Sequence, residues 1–557
     1  MQKINNMDNN TDQTQNNQSG RKWKVLISVI FGIFMVILDT TVVNVAFQAI
    51  RDEFGGDINT SQWVISIYVL VLGITTPLAG FLADRFGAKK VYLYGLGLFA
   101  AGSFLCGLSN NLGILILARA VQGMGGGLAM PLGIVLLFQT FPVKEHGKAL
   151  GFFGIAALVA PAVGPILGGW LVDQHLWRVI FFINPPIGLL GIILGIQFLG
   201  ESKKDIHPRF DVWGMVSEVI GFGAILYATS IAADFGWTSP TTLLLLAVGV
   251  IGLIIFGIIE LRYSQHPLMD LRLFKNQIFL IASLLGYVST IALFGAEFLM
   301  PIYLQALRGL SALQTGFVLL PMAVAGGIFI TYSGRMYDRW GPRPLLVAGF
   351  SLLVINTWQL SRIQADTPIL WIVFLLILRG FALGLTVQNT MVTALSVVAP
   401  KELARGSSLT NSSRLVVQSI GVAVLATILA GAISPEMKTF QDQFQSTQAG
   451  DRQITGLCEI SPLINGENGN SLDRFINFSP VNHSGLLGQR SNPSPTEGGK
   501  DAKEISQACQ ENINGFEASY TLTFFASLIA LILSMLLPGW PGRWNGRQES
   551  VPPEIAG

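Results

Sequence analysis

Residues 80–90 read GFLADRFGAKK and residues 334–344 read GRMYDRWGPRP. Both hold the frame Gly-x-x-x-Asp-Arg-x-Gly, and each joins two apolar stretches of about 20 residues, the length of helix that crosses a bilayer. One span further on, each copy carries an arginine inside an apolar run: Arg119 in LARAVQGMGGG and Arg379 in LILRGFALG. The offset between the two arginines is close to the offset between the two loops. A loop and a distant landmark that repeat together imply a duplicated six-helix unit, as in parallel-repeat transporters.

Outward from these loops, fourteen stretches qualify as spans: near 25–48, 60–82, 90–109, 112–139, 148–172, 178–199, 212–232, 241–261, 277–305, 313–333, 343–362, 367–396, 407–432 and 517–538. The expected fold is an all-α integral membrane protein of 14 transmembrane helices. A disordered cytoplasmic tail (1–24) precedes a six-helix bundle (25–199), two inserted helices with their linkers (200–276) and five helices of a second bundle (277–432). A long extracytoplasmic loop (433–516), a last helix (517–538) and a cytoplasmic tail (539–557) follow. Charge tests this count, because short cytoplasmic loops hold the excess of Lys and Arg. With the amino terminus inside, each inner segment carries two to four basic residues and each short outer loop none or one. Both termini are therefore expected in the cytoplasm, with the chain in a plasma membrane, here the inner membrane of a bacterium.

Composition agrees: 51% of residues are hydrophobic and 12% charged, where a soluble domain is about one quarter charged. A net charge of +2 offers nucleic acid no basic surface. The Asn/Gln-rich start lacks the basic, apolar and small-residue regions of a secretory signal. The five histidines are scattered and no phosphate loop or nucleophile elbow occurs, so no enzyme, metal, cofactor or ATP-driven pump is expected.

With LDTTVVNVAF (38–47), the Gly80 loop, Arg119 with Gln122 and Gly123, APAVGPILGG (160–169), WRVIFFINPPIG from Trp177 and PIYLQALRG from Pro301, the chain resembles the major facilitator superfamily. Within it, the marks resemble those of the fourteen-span drug:proton antiporter branch of EmrB/QacA type. The likeness covers about 25–432 and the last span. It departs at Phe47-Gln48, where the family commonly closes the first motif with proline. It implies proton-coupled multidrug efflux, with antibiotic resistance as the phenotype and the proton as the only coupling ion.

An ionised carboxylate inside a span costs about 2.5–3.5 kcal/mol, so Asp39 needs a reason to be there. Uptake and release of a proton is one reason; hydrogen bonding between helices, as for Thr40 and Asn44, is the other. Arg119 stays charged and must find carbonyls, water or an anion; Asp39 is the expected partner. Glu297, in the first helix of the second repeat, mirrors the helix of Asp39 and is a second proton site or a contact for a cationic substrate. Arg414 is a candidate counter-ion to Glu297, and Glu218 in the inserted pair is read as structural. Gly80, Asp84, Arg85 and Gly87, with Asp338 and Arg339, are read as gating residues whose aspartates meet helix N-termini when the inner side is shut. Gly164, Pro165, Gly168 and Gly169 form a bent, close-packed helix; the resemblance makes this the mark of an exporter. Gln122, Asn184, Tyr303, Gln305 and Gln388 are candidates for the substrate cavity, which suits a small amphipathic molecule. Cys458 and Cys509 fall in the outer loop, where a disulfide persists, and Cys106 is read as inert. The outer loop is a gate, a linker or the docking surface of a periplasmic adaptor. Export of an endogenous lipid or metabolite is the alternative within transport, and a non-transporting sensor or scaffold the alternative outside it.

Overall fold

The computed structural model describes residues 2–55, 58–200, 211–264, 268–432 and 495–538, and all regular structure among them is helical. α1 (Gln2–Phe54), α2 (Ile58–Phe86), α3 (Ala88–Gly107), α4 (Leu112–Thr140) and α5 (His146–Asp173) lead to the short α6 (Val179–Phe182) and α7 (Asn184–Phe198), which together form one span. The inserted pair is α8 (Val212–Phe235) and α9 (Pro240–Ile258). α10 (Gln277–Ile302), α11 (Ala312–Trp340), α12 (Pro342–Leu360), α13 (Ile369–Ser396), α14 (Leu403–Gly431) and α15 (Pro495–Ser534) complete the second bundle.

Among the described residues, 13 helices are long and apolar enough to cross a membrane. The expected span that is not among them, 343–362, is α12, a 19-residue helix. Arg343 near its start and Asn356, Thr357 and Gln359 near its end lower its hydropathy. Two expected boundaries also change. α1 runs through the stretch expected to be a disordered tail, which contains one glycine and no proline to stop a helix. α15 begins at Pro495, so the end of the expected outer loop is helical.

The repeated frame has a local cause. Gly87 and Gly341 have φ of 92° and 81°, and each lies between two helices, α2 and α3 or α11 and α12. A side chain is strained in that region, so glycine is required where the chain reverses at the membrane face.

α1 packs on α5 and α7, and α4 on α2 and α3; in the second bundle α13 packs on α10, α11 and α12. The bundles meet along two seams, α5 against α11 and α2 against α14. Each seam pairs the second helix of one repeat with the fifth of the other. The first is tight: a Cβ on Gly334 would come within 2.2 Å of the Gly147 carbonyl, and one on Gly151 within 2.8 Å of the Ile330 carbonyl. α8 packs on α9 and also touches both α2 and α14. Ser230 pairs with Ser66 (3.0 Å), Thr229 with Ser419 (2.7 Å), and Trp237 donates to Thr427. The inserted pair therefore covers the α2–α14 seam.

Candidate functional site

Asp39 lies midway along α1 and is 1% exposed. Its Oδ2 accepts from Arg119 Nη1, and its Oδ1 accepts from Gln122 Nε2 (2.8 Å) and Asn184 Nδ2 (2.9 Å). Arg119 Nη1 also donates to Gln122 Oε1 (2.8 Å) and its Nε to the Val64 carbonyl (2.9 Å). The Tyr68 ring faces the guanidinium at 4.1 Å, a cation–π contact. Asn184 reaches Asp39 because Pro185 and Pro186 start α7 beside it, a position that spares the missing N–H groups. Its Nδ2 also donates to Ser103, whose hydroxyl donates to the Phe181 carbonyl. Three helices, α1, α4 and α7, thus converge on one carboxylate, and α2 and α3 hold its donors in place.

Sequence reading anticipated the Asp39–Arg119 pair. It assigned Gln122 and Asn184 to a substrate cavity, and the structure corrects both: Gln122 is 0% and Asn184 1% exposed, and their amides are taken up by Asp39. Thr40 bonds its own helix at the Ile37 carbonyl, and Asn44 is exposed. Cys106 is a free, buried thiol beside Gln122.

The second bundle does not reproduce this arrangement. Arg379 donates to Asn356 Oδ1 (3.1 Å) and to the Ala292 carbonyl, with no carboxylate in its hydrogen-bond shell. Glu297 faces a small cavity lined by Pro161, Leu293, Leu319, Met322, Ala323, Gly380 and Leu383, on α5, α10, α11 and α13. Arg414 does not counter Glu297. Its guanidinium lies against Gly286, where a Cβ would meet Nη2 at 2.5 Å, three turns and roughly 16 Å along α10 from Glu297. Glu218 is 0% exposed and neither carboxyl oxygen has a partner.

At one end of the seams the two aspartates of the repeated frame find different partners. Asp84 pairs with Arg405 in the first turn of α14 (2.9 Å). Asp338 accepts from the backbone N–H of Gly147 and of Lys148 (both 2.9 Å), at the start of α5. Arg405 was missed, although a signal exists: KEHGK (144–148) and KELAR (401–405) place a basic residue at the same step of both fifth helices. Gly80 abuts α14, its Cβ position 3.2 Å from Ser408 Oγ. Arg85 and Arg339 are exposed.

Gly164 and Gly168 pack α5 against α1, with the Gly164 Cβ position 2.1 Å from Thr41 Oγ1. Gly169 is buried, and Pro161 and Pro165 lie inside α5. Glycines 164 and 168 of this close-packed stretch seat α1, while Ile166 between them packs on Gly316 of α11, so the seam that starts at Gly147 and Gly151 continues along it. Tyr303 donates to the Gln364 carbonyl (2.8 Å) and is 2% exposed, which removes it from an open cavity. Gln305 is half-buried in the π-helical turn Tyr303–Leu307. Gln388 is buried, with Oε1 unbonded and its side chain against Gly154. Cys509 is disulfide-bonded; Cys458, its expected partner, lies outside the described residues.

Two repeated helical bundles packed along paired seams, with 13 candidate membrane spans among the described residues and a buried ion pair inside the first bundle, are the architecture of a multi-span membrane transporter. The chain belongs to the Major Facilitator Superfamily, whose family model matches residues 29–422. It is 30% identical to the lincomycin resistance protein LmrB of Listeria monocytogenes over 76% of this chain and 90% of that one. It is equally 30% identical to the riboflavin transporter RibZ of Clostridioides difficile, over 76% and 91%. The solved proton:xylose symporter XylE, bound to 6-bromo-6-deoxy-D-glucose, superposes with a TM-score of 0.58 at 13% identity, covering 96% of this chain and 98% of that one. That likeness is one of fold.

Proposed function

We propose that the chain is a proton-coupled exporter of amphipathic or cationic small molecules, of the fourteen-span drug:proton antiporter type, working by alternating access in a bacterial inner membrane with both termini cytoplasmic. The observation that carries this reading is Asp39, sealed inside α1 and held by one cation and two amides. A proton arriving from outside neutralises the carboxylate and removes its hold on Arg119; the freed guanidinium then biases the bundles toward substrate release. Inward flow of each net charge contributes about 2.3 kcal/mol per 100 mV of membrane potential. Asp84–Arg405 and the Asp338 cap of α5 act as inner latches, made in this closed arrangement and broken when the inner side opens. Glu297 serves as a second proton or cation site, and a periplasmic adaptor on the outer loop is a candidate partner.

A drug cargo is supported by the likeness to LmrB. The equal likeness to RibZ favours a second reading, export or uptake of an endogenous metabolite on the same machinery. The test is efflux of a lipophilic cationic dye from proteoliposomes under an imposed pH gradient. Parent protein that exchanges dye for protons, with a folded Asp39→Asn variant that does not, supports the reading. Dye transport that ignores the pH gradient in the parent contradicts it.

A further inference from the structure

Arg414 stands apart from the other interior arginines. Arg119 is matched by Asp39, and Arg379 is sealed at 0% exposure, against Asn356 and a carbonyl. Arg414 projects from α14 between α10 and α13; Nη2 donates to Thr390 Oγ1 (2.9 Å), Nη1 faces Met391 Sδ (3.8 Å) and Nε has no acceptor. Tyr287 and Ser413 lie beside it. No carboxylate among the described residues pairs with it. Unlike Arg379, part of its surface is open. α10 makes room for it with a glycine, because any side chain at Gly286 would meet the guanidinium.

A guanidinium has five N–H donors and keeps its charge, so inside a bundle it needs an anion or several acceptors. Here the protein supplies a hydroxyl and a thioether. We propose that Arg414 receives an oxyanion of the transported molecule, a carboxylate or phosphate, so that the cargo includes amphipathic organic anions and zwitterions. Tyr287, Ser413 and Thr390 supply the neutral groups around that oxyanion, and Met391 the apolar wall. This rests on the exporter reading and narrows its cargo: Glu297 is left to receive a cationic group, about three turns away along α10.

The test is equilibrium binding to the purified full chain in detergent, with no gradient, using carboxyfluorescein as the amphipathic anion and ethidium as the cation. Arg414→Gln is expected to weaken carboxyfluorescein by about tenfold or more, the loss of one charge-assisted contact, and Arg414→Lys to retain part of the affinity. Gly286→Ala, which keeps the charge but displaces the guanidinium, is expected to weaken the anion as well. Ethidium should change less than about twofold in all three. Equal loss of both dyes would mean a structural arginine and overturn the proposal, as would unchanged carboxyfluorescein binding in Arg414→Gln. Absence of binding to the parent by both carboxyfluorescein and a short-chain phosphatidylglycerol also overturns it. Stronger competition by the phosphatidylglycerol assigns the oxyanion to a lipid headgroup, and the reverse to a soluble amphiphile; either supports the site. Because binding is read without a gradient, the anion site and proton coupling can each fail while the other stands.

Discussion

A buried ion pair is held by mutual need more than by net gain, since desolvation offsets most of its attraction. Asp39 and Arg119 illustrate this: beyond their mutual contact they are held by Gln122, Asn184 and the Val64 carbonyl. Removing one partner strands the other. Arg119→Ala should therefore lower stability by about 3–5 kcal/mol, and adding Asp39→Asn should recover part of that loss, as read by thermal unfolding in detergent. Equal instability in the single and double variants would mean that Arg119 acts through packing on Tyr68 alone. Position 39 was legible in the sequence because an acid in an apolar run has few benign readings. Gln122 and Asn184 were not, because an amide in a span looks the same whether it faces a cavity or a neighbouring carboxylate. Only convergence of α1, α4 and α7 distinguishes the two.

At the level of elements, the Gly-x-x-x-Asp-Arg-x-Gly frame solves three problems in about two turns. The first glycine admits the opposite bundle, the aspartate ties to its fifth helix, and the last glycine reverses the chain at positive φ. The spacing disclosed a tie to a helix start, and the structure supplies it as a backbone cap for Asp338. The partner of Asp84 was hidden, since Arg405 lies 321 residues away; the KEHGK and KELAR repeat would have exposed it. Loss of an N-cap costs about 1 kcal/mol, a shift of roughly fivefold in a two-state population. Asp338→Ala should therefore enrich the inward-open state by about that factor, seen as a longer spin-label distance between Lys144 and Arg335 positions. Gly334→Ala should do more, because its methyl group would overlap the Gly147 carbonyl. An unchanged distance distribution in both variants would remove the seam from the gating cycle.

Across the whole molecule, repeat symmetry governs the scaffold and asymmetry governs the chemistry. Both seams pair second with fifth helices, yet the first bundle holds a neutralised pair and the second holds Arg379, Arg414 and Glu297 without mutual contact. The duplicated loops made the scaffold readable, whereas the asymmetry was not, because Glu297 sits at the repeat position of Asp39 while its packing follows α5 and α13. The inserted α8 and α9 cover one seam only, which leaves α5–α11 as the uncovered side. Cys509 is disulfide-bonded and lies in α15, near the start of its apolar stretch. Peptide mapping should find it joined to Cys458, and Cys509→Ser should lower stability by about 4 kcal/mol in the chain-entropy model for a loop of roughly 50 residues, with dye affinity unchanged.

The most direct test of the central claim is proton counterflow. Proteoliposomes loaded with a pH-sensitive dye and given an outward gradient of a lipophilic cation should acidify inside, in step with cation exit, for the parent protein. In Asp39→Asn the cation should exchange without any proton signal or remain still. Parent protein that moves the cation with no proton movement, or an Asp39→Asn protein that couples as well as the parent, would contradict the account.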